Sequence, residues 1–379
     1  MISIPPARTL EQLREECVAR VSRNAYPLAG LAPKDVTQAF SKITSLDRDE
    51  WAIVWSELAE RYASEAEKKA PAAAEEARQL YLKAWKTYSF ARWPVPNSRE
   101  KHRAYQNALE AFRTAARYRS HPLQTIRIPF EGRELVAYLQ APESKLRVPY
   151  VLAISGLDSR KEDLAERFLP FVEAGIGSLI LDSPGTGEAP GPASDNAERM
   201  YRRALDVLSE RSDVDQSRIG VYGASFGGHW AIKLAITERK RLLCVAAQSP
   251  PIHEAFQPDH IRRAVANTEY LFDYLPAAMS TFENVSTLEQ LIEARGALSL
   301  VRQNLLDAEA APMLIVGGAR DTQVPISDLE LLLKSGRTPK EAWINPLGGH
   351  MGREAHGWTD PVIFTSIIRP WLQRKLLHS

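Results

Sequence analysis

The stretch Ile219-Gly220-Val221-Tyr222-Gly223-Ala224-Ser225-Phe226-Gly227 decides the fold of this chain of 379 residues. An apolar run reaches a serine that has glycine two positions before it and two positions after it, and a helix-compatible run continues to Ile236. Glycine at both places lets the backbone make a sharp, strained turn between strand and helix. The stretch therefore predicts that the Ser225 hydroxyl stands clear of a sheet, where a base and a substrate carbonyl can reach it.

A serine hydroxyl is a weak nucleophile near neutral pH, so Ser225 needs a base and an acid that orients the base. Asp321 ends the glycine-rich loop that follows a strand predicted at 313–316, and His350 lies on a second glycine-rich loop after an apolar run that ends at Ile344. The chain order serine, acid, histidine suits this type of turn. We expect His350 to take the Ser225 proton and Asp321 to fix the imidazole.

Each of these assignments has an alternative. Ser225 and Asp321 are compatible with an ordinary turn serine and a loop-capping carboxylate. Asp328 is a second acid, but it falls in a helix predicted at 327–334 and is interpreted as a solvated residue. His356 is a second histidine, in a segment that is interpreted as surface, and His229 is interpreted as a satisfied helix residue.

The reaction also requires backbone N–H groups that stabilise the charge developing on the substrate oxygen. The first predicted donor is the amide of Phe226, directly after the nucleophile. The second is expected in the loop after a strand predicted at 150–154, from the amide of Leu157 or of Gly156. The sequence leaves these two open.

Composition limits the classes of partner. Lys and Arg number 48 against 47 Asp and Glu, so the formal charge of +1 offers no electrostatic case for nucleic acid or an anionic membrane. Neither Cys17 nor Cys244 belongs to a metal-binding or disulfide pattern, and no cofactor motif is apparent. We expect a small-molecule substrate, no metal or cofactor, and a cytoplasmic location, because no leader or membrane-spanning pattern is seen. A homodimer is compatible with the sequence, which does not demand it.

The chain changes character near residue 120. Residues 1–120 show helical periodicity with aromatic side chains on one face, which indicates an all-helical domain that covers the site as a cap or lid. Residues 121–379 alternate short apolar runs with amphipathic segments, which predicts an α/β fold with a mostly parallel sheet, helices on both faces and a preceding antiparallel hairpin. The alternation breaks at 250–311, where helices at 260–274 and 287–307 are predicted to form an insertion over the active site.

Two further motifs carry a family resemblance. The segment Gly156-Leu157-Asp158-Ser159-Arg160-Lys161-Glu162 and the segment Asp182-Ser183-Pro184-Gly185-Thr186-Gly187-Glu188 are similar to those of one α/β-hydrolase group. That group has a helical N-terminal domain and includes dihydroxypseudooxynicotine hydrolases, fermentation-respiration switch proteins and fungal hydrolases that shorten polyketides. From the residues alone, Lys161 and Glu162 are interpreted as helix-capping or surface-pairing side chains.

The resemblance implies a serine hydrolase that cleaves an ester or the carbon-carbon bond of a β-dicarbonyl in an aromatic or polyketide-like molecule. Its triad positions fall on the same serine, acid and histidine. It also implies an additional pocket carboxylate, for which Glu254 and Asp259, beside His253, are the nearby choices. Asp158 is a further candidate pocket residue.

Two other functions are compatible with the sequence. A peptidase of the prolyl-oligopeptidase type shares the catalytic fold, but its usual repeated propeller has no counterpart in the helical first 120 residues. A non-catalytic binding or regulatory protein on a hydrolase scaffold is the second alternative, and a complete serine, acid and histidine set argues against it.

Overall fold

A computed structural model describes residues 8–267 and 269–378. The chain forms two compact units. A helical unit takes the chain up to Leu123 together with Asn267–Ser280, and an α/β unit takes Gln124–Ala266 together with the chain from Thr281 onward. The division between the two units falls after Leu123 and again on either side of Asn267–Ser280.

The α/β unit is built on one eight-stranded sheet. Its strands are β1 (Leu123–Phe130), β2 (Arg133–Gln140), β3 (Val148–Ile154), β4 (Gly177–Leu181), β5 (Val214–Ala224), β6 (Cys244–Gln248), β7 (Met313–Gly318) and β8 (Lys340–Asn345). They are ordered β1-β2-β4-β3-β5-β6-β7-β8, with β2 antiparallel to β4 and all pairs from β4 to β8 parallel. The mostly parallel sheet predicted from the apolar runs is confirmed.

The helices are α1 (Leu10–Ser22), α2 (Pro33–Phe40), α3 (Arg48–Lys69), α4 (Ala74–Ala91), α5 (Arg99–Ala116), α6 (Lys161–Arg167), α7 (Leu169–Glu173), α8 (Arg199–Glu210), α9 (Phe226–Thr237), α10 (Pro258–Ala266), α11 (Tyr274–Met279), α12 (Leu288–Ala297), α13 (Ile326–Lys334), α14 (Asp360–Ile363) and α15 (Arg369–Leu377). A π-helical turn, Phe364–Ile368, joins α14 to α15. Two predicted helices are too long, because the chain leaves helical geometry after Ala266 and after Ala297.

Helices cover both faces of the sheet, as expected. Side chains alternate between the faces of a strand, so Gly220 and Gly223 of β5 face opposite ways. A Cβ on Gly220 would lie 3.5 Å from Leu376 of α15, whereas a Cβ on Gly223 would lie 2.8 Å from Ala231 of α9. The strand that leads to Ser225 is therefore buried between two helical layers.

The helical unit has an aromatic core. Trp51, Trp55 and Phe90 are buried, with ring centroids 4.7 to 5.5 Å apart, and the Trp51 indole N–H donates to the Phe90 carbonyl at 3.1 Å. Aromatic packing of this kind contributes beyond its buried area. The side chain of Asp47 begins α3 by accepting two backbone N–H groups of its first turn.

The segment Asn267–Ser280 joins the helical unit through a charged cluster. Asp273 accepts from Arg48 of α3 at 2.9 Å and from the ammonium of Lys101 of α5 at 3.4 Å. Burial lowers the pKa of Lys101 to about 8, although Asp273 opposes the shift. The expected insertion at 250–311 is thus divided between the two units, and a role of the helical unit as a lid stays a prediction.

Among the described residues, no helix combines the length with the apolar composition that crossing a bilayer requires.

Candidate active site

Ser225 lies at the sharp turn between β5 and α9. Its backbone has φ 52° and ψ −117°, a conformation that non-glycine residues rarely adopt. A Cβ on Gly223 would lie 2.1 Å from the Gly227 carbonyl oxygen, and a Cβ on Gly227 would lie 2.3 Å from the Ser155 carbonyl oxygen. Only glycine fits at these two positions, so the turn that the pentapeptide predicts is sterically fixed.

The structure brings Ser225, His350 and Asp321 into one hydrogen-bonded line. The Oγ atom of Ser225 lies 2.9 Å from Nε2 of His350, and Nδ1 of His350 lies 2.9 Å from Oδ2 of Asp321. Asp321 follows β7 and His350 follows β8, so both side chains come from the carboxyl ends of parallel strands. Residues that are 125 and 29 positions apart in the chain thus meet at one edge of the sheet.

Asp321 is held as a carboxylate. Its Oδ1 accepts the backbone N–H groups of Gln323 and Val324, both at 2.9 Å, while Oδ2 faces His350. Burial alone would raise the pKa of Asp321, but His350 and the two amides outweigh burial and hold this pKa below its ordinary value. Because an ionised carboxylate only accepts, Nδ1 of His350 carries a proton and Nε2 is left to accept from Ser225.

The alternative acid and base take no part in this line. Asp328 is fully buried in α13, where it accepts the backbone N–H groups of residues 252 to 255 at 2.7 to 3.1 Å. Its interpretation as a solvated residue is wrong, because it is buried and accepts four consecutive backbone N–H groups of the loop after β6. His356 is exposed, as expected.

The loop after β3 lies against the serine. A Cβ on Gly156 would come within 3.7 Å of the Ser225 Cβ, and the Gly156 N–H donates to Oγ of Ser159 at 2.9 Å. Phe226 is the first residue of α9, where backbone N–H groups lack intrahelical partners. Of the two amides that the sequence left open, the Gly156 N–H is already used within the loop, which favours Leu157.

The two motif segments meet beneath this loop in a buried ion cluster. The Lys161 ammonium lies 2.9 Å from Glu162, 3.2 Å from Asp182 and 2.6 Å from Glu188, and Lys161 itself is fully buried. Asp182 also accepts the backbone N–H of Lys161 at 2.8 Å and the hydroxyl of Ser155 at 3.3 Å. The interpretation of Lys161 and Glu162 as surface-pairing residues is wrong, because the cluster lies inside the protein and fixes the start of the loop.

The candidate pocket residues lie in different surroundings. Asp158 is half-buried on the loop after β3. His253 places Nδ1 2.7 Å from Oγ of Ser299 and Nε2 3.8 Å from a carboxylate oxygen of Glu254. Asp259 is mostly exposed and lies 3.4 Å from Arg262. Of the two carboxylates that the resemblance suggested, Glu254 is the one that lies beside His253.

Sequence reasoning missed Gln248, the last residue of β6, and Ser249, which directly follows it. Both are fully buried, and both contact the residue after His350. They carry no motif. The only local signal is a polar dipeptide at the end of an otherwise apolar strand, where a buried polar side chain requires a partner.

Comparison with known proteins gives the same group as the motifs. A family described as "Esterase FrsA-like" matches residues 37–346. The chain is 25% identical over 287 residues to the esterase FrsA of Vibrio cholerae, covering 74% of this chain and 68% of the relative. It is 24% identical over 289 residues to the 2,6-dihydropseudooxynicotine hydrolase of Paenarthrobacter nicotinovorans, covering 75% of this chain and 74% of the relative.

Solved structures confirm the fold. The 2,6-dihydroxy-pseudo-oxynicotine hydrolase superposes with a TM-score of 0.77 at 23% identity, covering 95% of each chain. A second structure, AbyA5, superposes with a TM-score of 0.74 at 19% identity, covering 98% of this chain and 94% of the other. The family resemblance and the fold class predicted from the sequence are therefore both confirmed.

Proposed function

Because the chain belongs to the FrsA-like esterase family, we propose that it is a serine hydrolase that acts on a small molecule through an acyl-enzyme on Ser225. The observation that carries this proposal is the line of two 2.9 Å contacts from Ser225 through His350 to Asp321. The backbone of Ser225 is strained, which costs folding free energy, and such strain is characteristic of functional sites. The line has a direct purpose in removing a proton from the serine.

In the proposed reaction, Nε2 of His350 takes the hydroxyl proton as Oγ of Ser225 attacks the substrate carbonyl. The tetrahedral intermediate collapses, and His350 returns the proton to the leaving group, which leaves an acyl group on Ser225. Water then repeats the sequence with His350 as base and releases the acid. Asp321 remains ionised throughout and stabilises the imidazolium that forms in each half.

The oxyanion of the intermediate is assigned to two backbone amides. Phe226 offers the first, at the start of α9, where the helix dipole also favours negative charge. Leu157 offers the second, since the neighbouring Gly156 N–H is used by Ser159. The buried cluster around Lys161 supports this assignment because it makes the loop rigid before substrate arrives.

Two bonds are candidates for cleavage. An ester needs only the groups already described. In a β-dicarbonyl the leaving group is instead a carbanion, and His253 with Glu254 is the pair that we assign to protonating it. The proton that His350 took from Ser225 then passes through solvent to restore that pair, so His350 is again free to act as base for water. The relative named 2,6-dihydropseudooxynicotine hydrolase supports keeping this second reaction beside ester hydrolysis.

Intact mass after exposure to a fluorophosphonate probe tests the proposal. We expect one adduct on the wild type and none on Ser225→Ala. Asp321→Asn should label slowly and should lower kcat on an aryl ester on the order of 10⁴-fold, because the imidazole then adopts the wrong tautomer. Comparison of an aryl ester with an aryl β-diketone identifies the bond that is cleaved. A folded wild type that forms no adduct would overturn the proposal in favour of a binding protein.

A further inference from the structure

We propose that Gln248 and Ser249 are positioning residues that hold the base His350 at its working distance from the nucleophile Ser225. The inference rests on the proposed function. It concerns the dipeptide at the carboxyl end of β6, between the strand that leads to the serine and the loop that carries the histidine. Neither side chain reaches the reacting atoms, so neither is a catalytic residue.

The first link runs to the nucleophile. The backbone N–H of Ser225 donates to the carbonyl of Gln248 at 2.7 Å. The preceding residue, Ala224, is paired with Gln248 in the parallel register of β5 and β6. The strained turn is thereby tied to the end of the neighbouring strand at the position of the serine itself.

The second link runs to the base. The side-chain N–H of Gln248 donates to the carbonyl of Met351 at 2.9 Å, and the backbone N–H of Met351 donates to Oγ of Ser249 at 3.0 Å. Both polar backbone groups of the residue after His350 are thus held by two consecutive side chains. A short path of hydrogen bonds therefore joins the backbone of Ser225 to the residue after His350.

The backbone is strained at both ends of the hydrogen bond between Ser249 and Met351. Ser249 has φ 45° and Met351 has φ 68°, and both residues are non-glycine in the left-handed region. Such residues persist where the surroundings over-determine them, and they cluster at functional sites. Here the two strained residues are bonded directly to each other through Ser249 Oγ.

A buried network fixes the orientation of the Gln248 amide. The Tyr222 hydroxyl donates to Oε1 of Gln248 at 2.8 Å and receives an N–H of Arg167 at 3.4 Å. Oε1 is therefore the acceptor side, and the amide N–H₂ must face the Met351 carbonyl and, at 3.2 Å, Asp360. Asp360 is itself paired with Arg167. Because every member of this network has a partner, the amide has one orientation.

The test measures kcat per active site, titrated with the fluorophosphonate probe, for Ser249→Ala and Gln248→Glu. The first removes the acceptor for the Met351 N–H, and the second removes the donor to its carbonyl while preserving length. We expect kcat per titrated site to fall roughly 10- to 100-fold, because a small displacement of a base is costly, and KM to change by less than about twofold. The probe should react more slowly but to completion.

Matched controls separate positioning from stability. Ser178→Ala and Gln140→Glu change a buried serine and a buried glutamine on other strands of the same sheet, and should leave kcat per titrated site unchanged. Ser249→Gly removes the same hydroxyl while it relieves the left-handed strain, so it should fold at least as well as Ser249→Ala and remain slow.

The outcomes are distinct. If the wild type forms no adduct, the proposed function fails and the positioning role falls with it. If the wild type labels while the Ser249 and Gln248 variants keep wild-type kcat per titrated site, or raise KM alone, the positioning role is overturned and the proposed function stands. If the variants only lower the fraction of molecules that the probe labels, and each labelled site keeps the wild-type kcat, the positioning role is also overturned. That pattern marks a purely structural role.

Discussion

His229, one helical turn after Ser225, is a buried histidine that the fold keeps neutral. Its Nδ1 lies 3.0 Å from the Pro251 carbonyl oxygen, which only accepts, so Nδ1 carries the proton. Burial lowers the pKa of His229 from 6.5 to about 3. Between these pH values the unfolded chain binds a proton that the folded chain does not, so the free energy of unfolding decreases as the pH falls.

We therefore predict an acid-sensitive stability that His229→Asn removes. Asparagine retains a side-chain N–H near the Nδ1 position but does not titrate. Between about pH 7 and about pH 5, the wild type should lose about 2 kcal/mol of unfolding free energy relative to His229→Asn, measured by urea denaturation. Other titrating groups cancel in the comparison. A difference that stays constant with pH would contradict the prediction.

Single residues also show what the sequence reveals and what it hides. Ser225, Asp321 and His350 were predicted because glycines and strand ends mark them locally. Asp328 was misread because its partners are amides 73 to 76 positions earlier in the chain, which leave no trace around the aspartate. Gln248 was missed for the same reason, since Met351 lies 103 positions away.

At the scale of elements, the site depends on the approach of α9 to β3. A Cβ on Gly227 would lie 2.3 Å from the Ser155 carbonyl oxygen and 2.5 Å from that of Ile154. Both contacts are with backbone, which has no flexible end that can move aside. The helix that carries the nucleophile and the strand that carries the oxyanion loop therefore cannot separate without changing the geometry of both.

We predict that Gly227→Ala lowers the free energy of unfolding by about 3 kcal/mol and reduces the sites titratable by the probe. Gly191→Ala is the control, because a Cβ there meets nothing within 4 Å. It should change stability by less than about 0.5 kcal/mol. Equal stability of the two variants in thermal and urea denaturation would show that the turn between β5 and α9 tolerates a wider separation of α9 from β3.

Strands and helices were predicted well where their residues are buried by the element's own sheet and helices. They were predicted poorly where the residues are buried in the other unit. Apolar runs mark β3, β4, β6 and β7, which are buried along their whole length, because a strand covered on both faces is apolar throughout. The helix predicted at 260–274 ends instead at Ala266. The apolar residues after Ala266 pack in the core of the helical unit. Sequence periodicity cannot distinguish apolar residues buried in this way from the apolar face of a helix.

At the scale of the whole molecule, the two units are interleaved along the chain. Residues 267–280 interrupt the α/β unit in sequence, yet Leu271 is buried in the core of the helical unit and Phe272 packs against the same core. Asp273 pairs there with Arg48. Removing the chain up to Leu123 therefore removes the packing partners of residues 267–280, which remain in the shortened protein.

We predict that a chain beginning at Gln124 aggregates in size-exclusion chromatography. In that chain the segment 267–280 has lost its partners and exposes an apolar patch that the intact chain buries. The same truncation with Leu271→Ser and Phe272→Ser is the matched control and should elute as a defined species. Replacing 267–280 by a Gly-Ser linker of equal length in the truncated chain should have the same effect. If all three truncated chains aggregate alike, the α/β unit itself depends on the helical unit, and burial of this segment is not the reason.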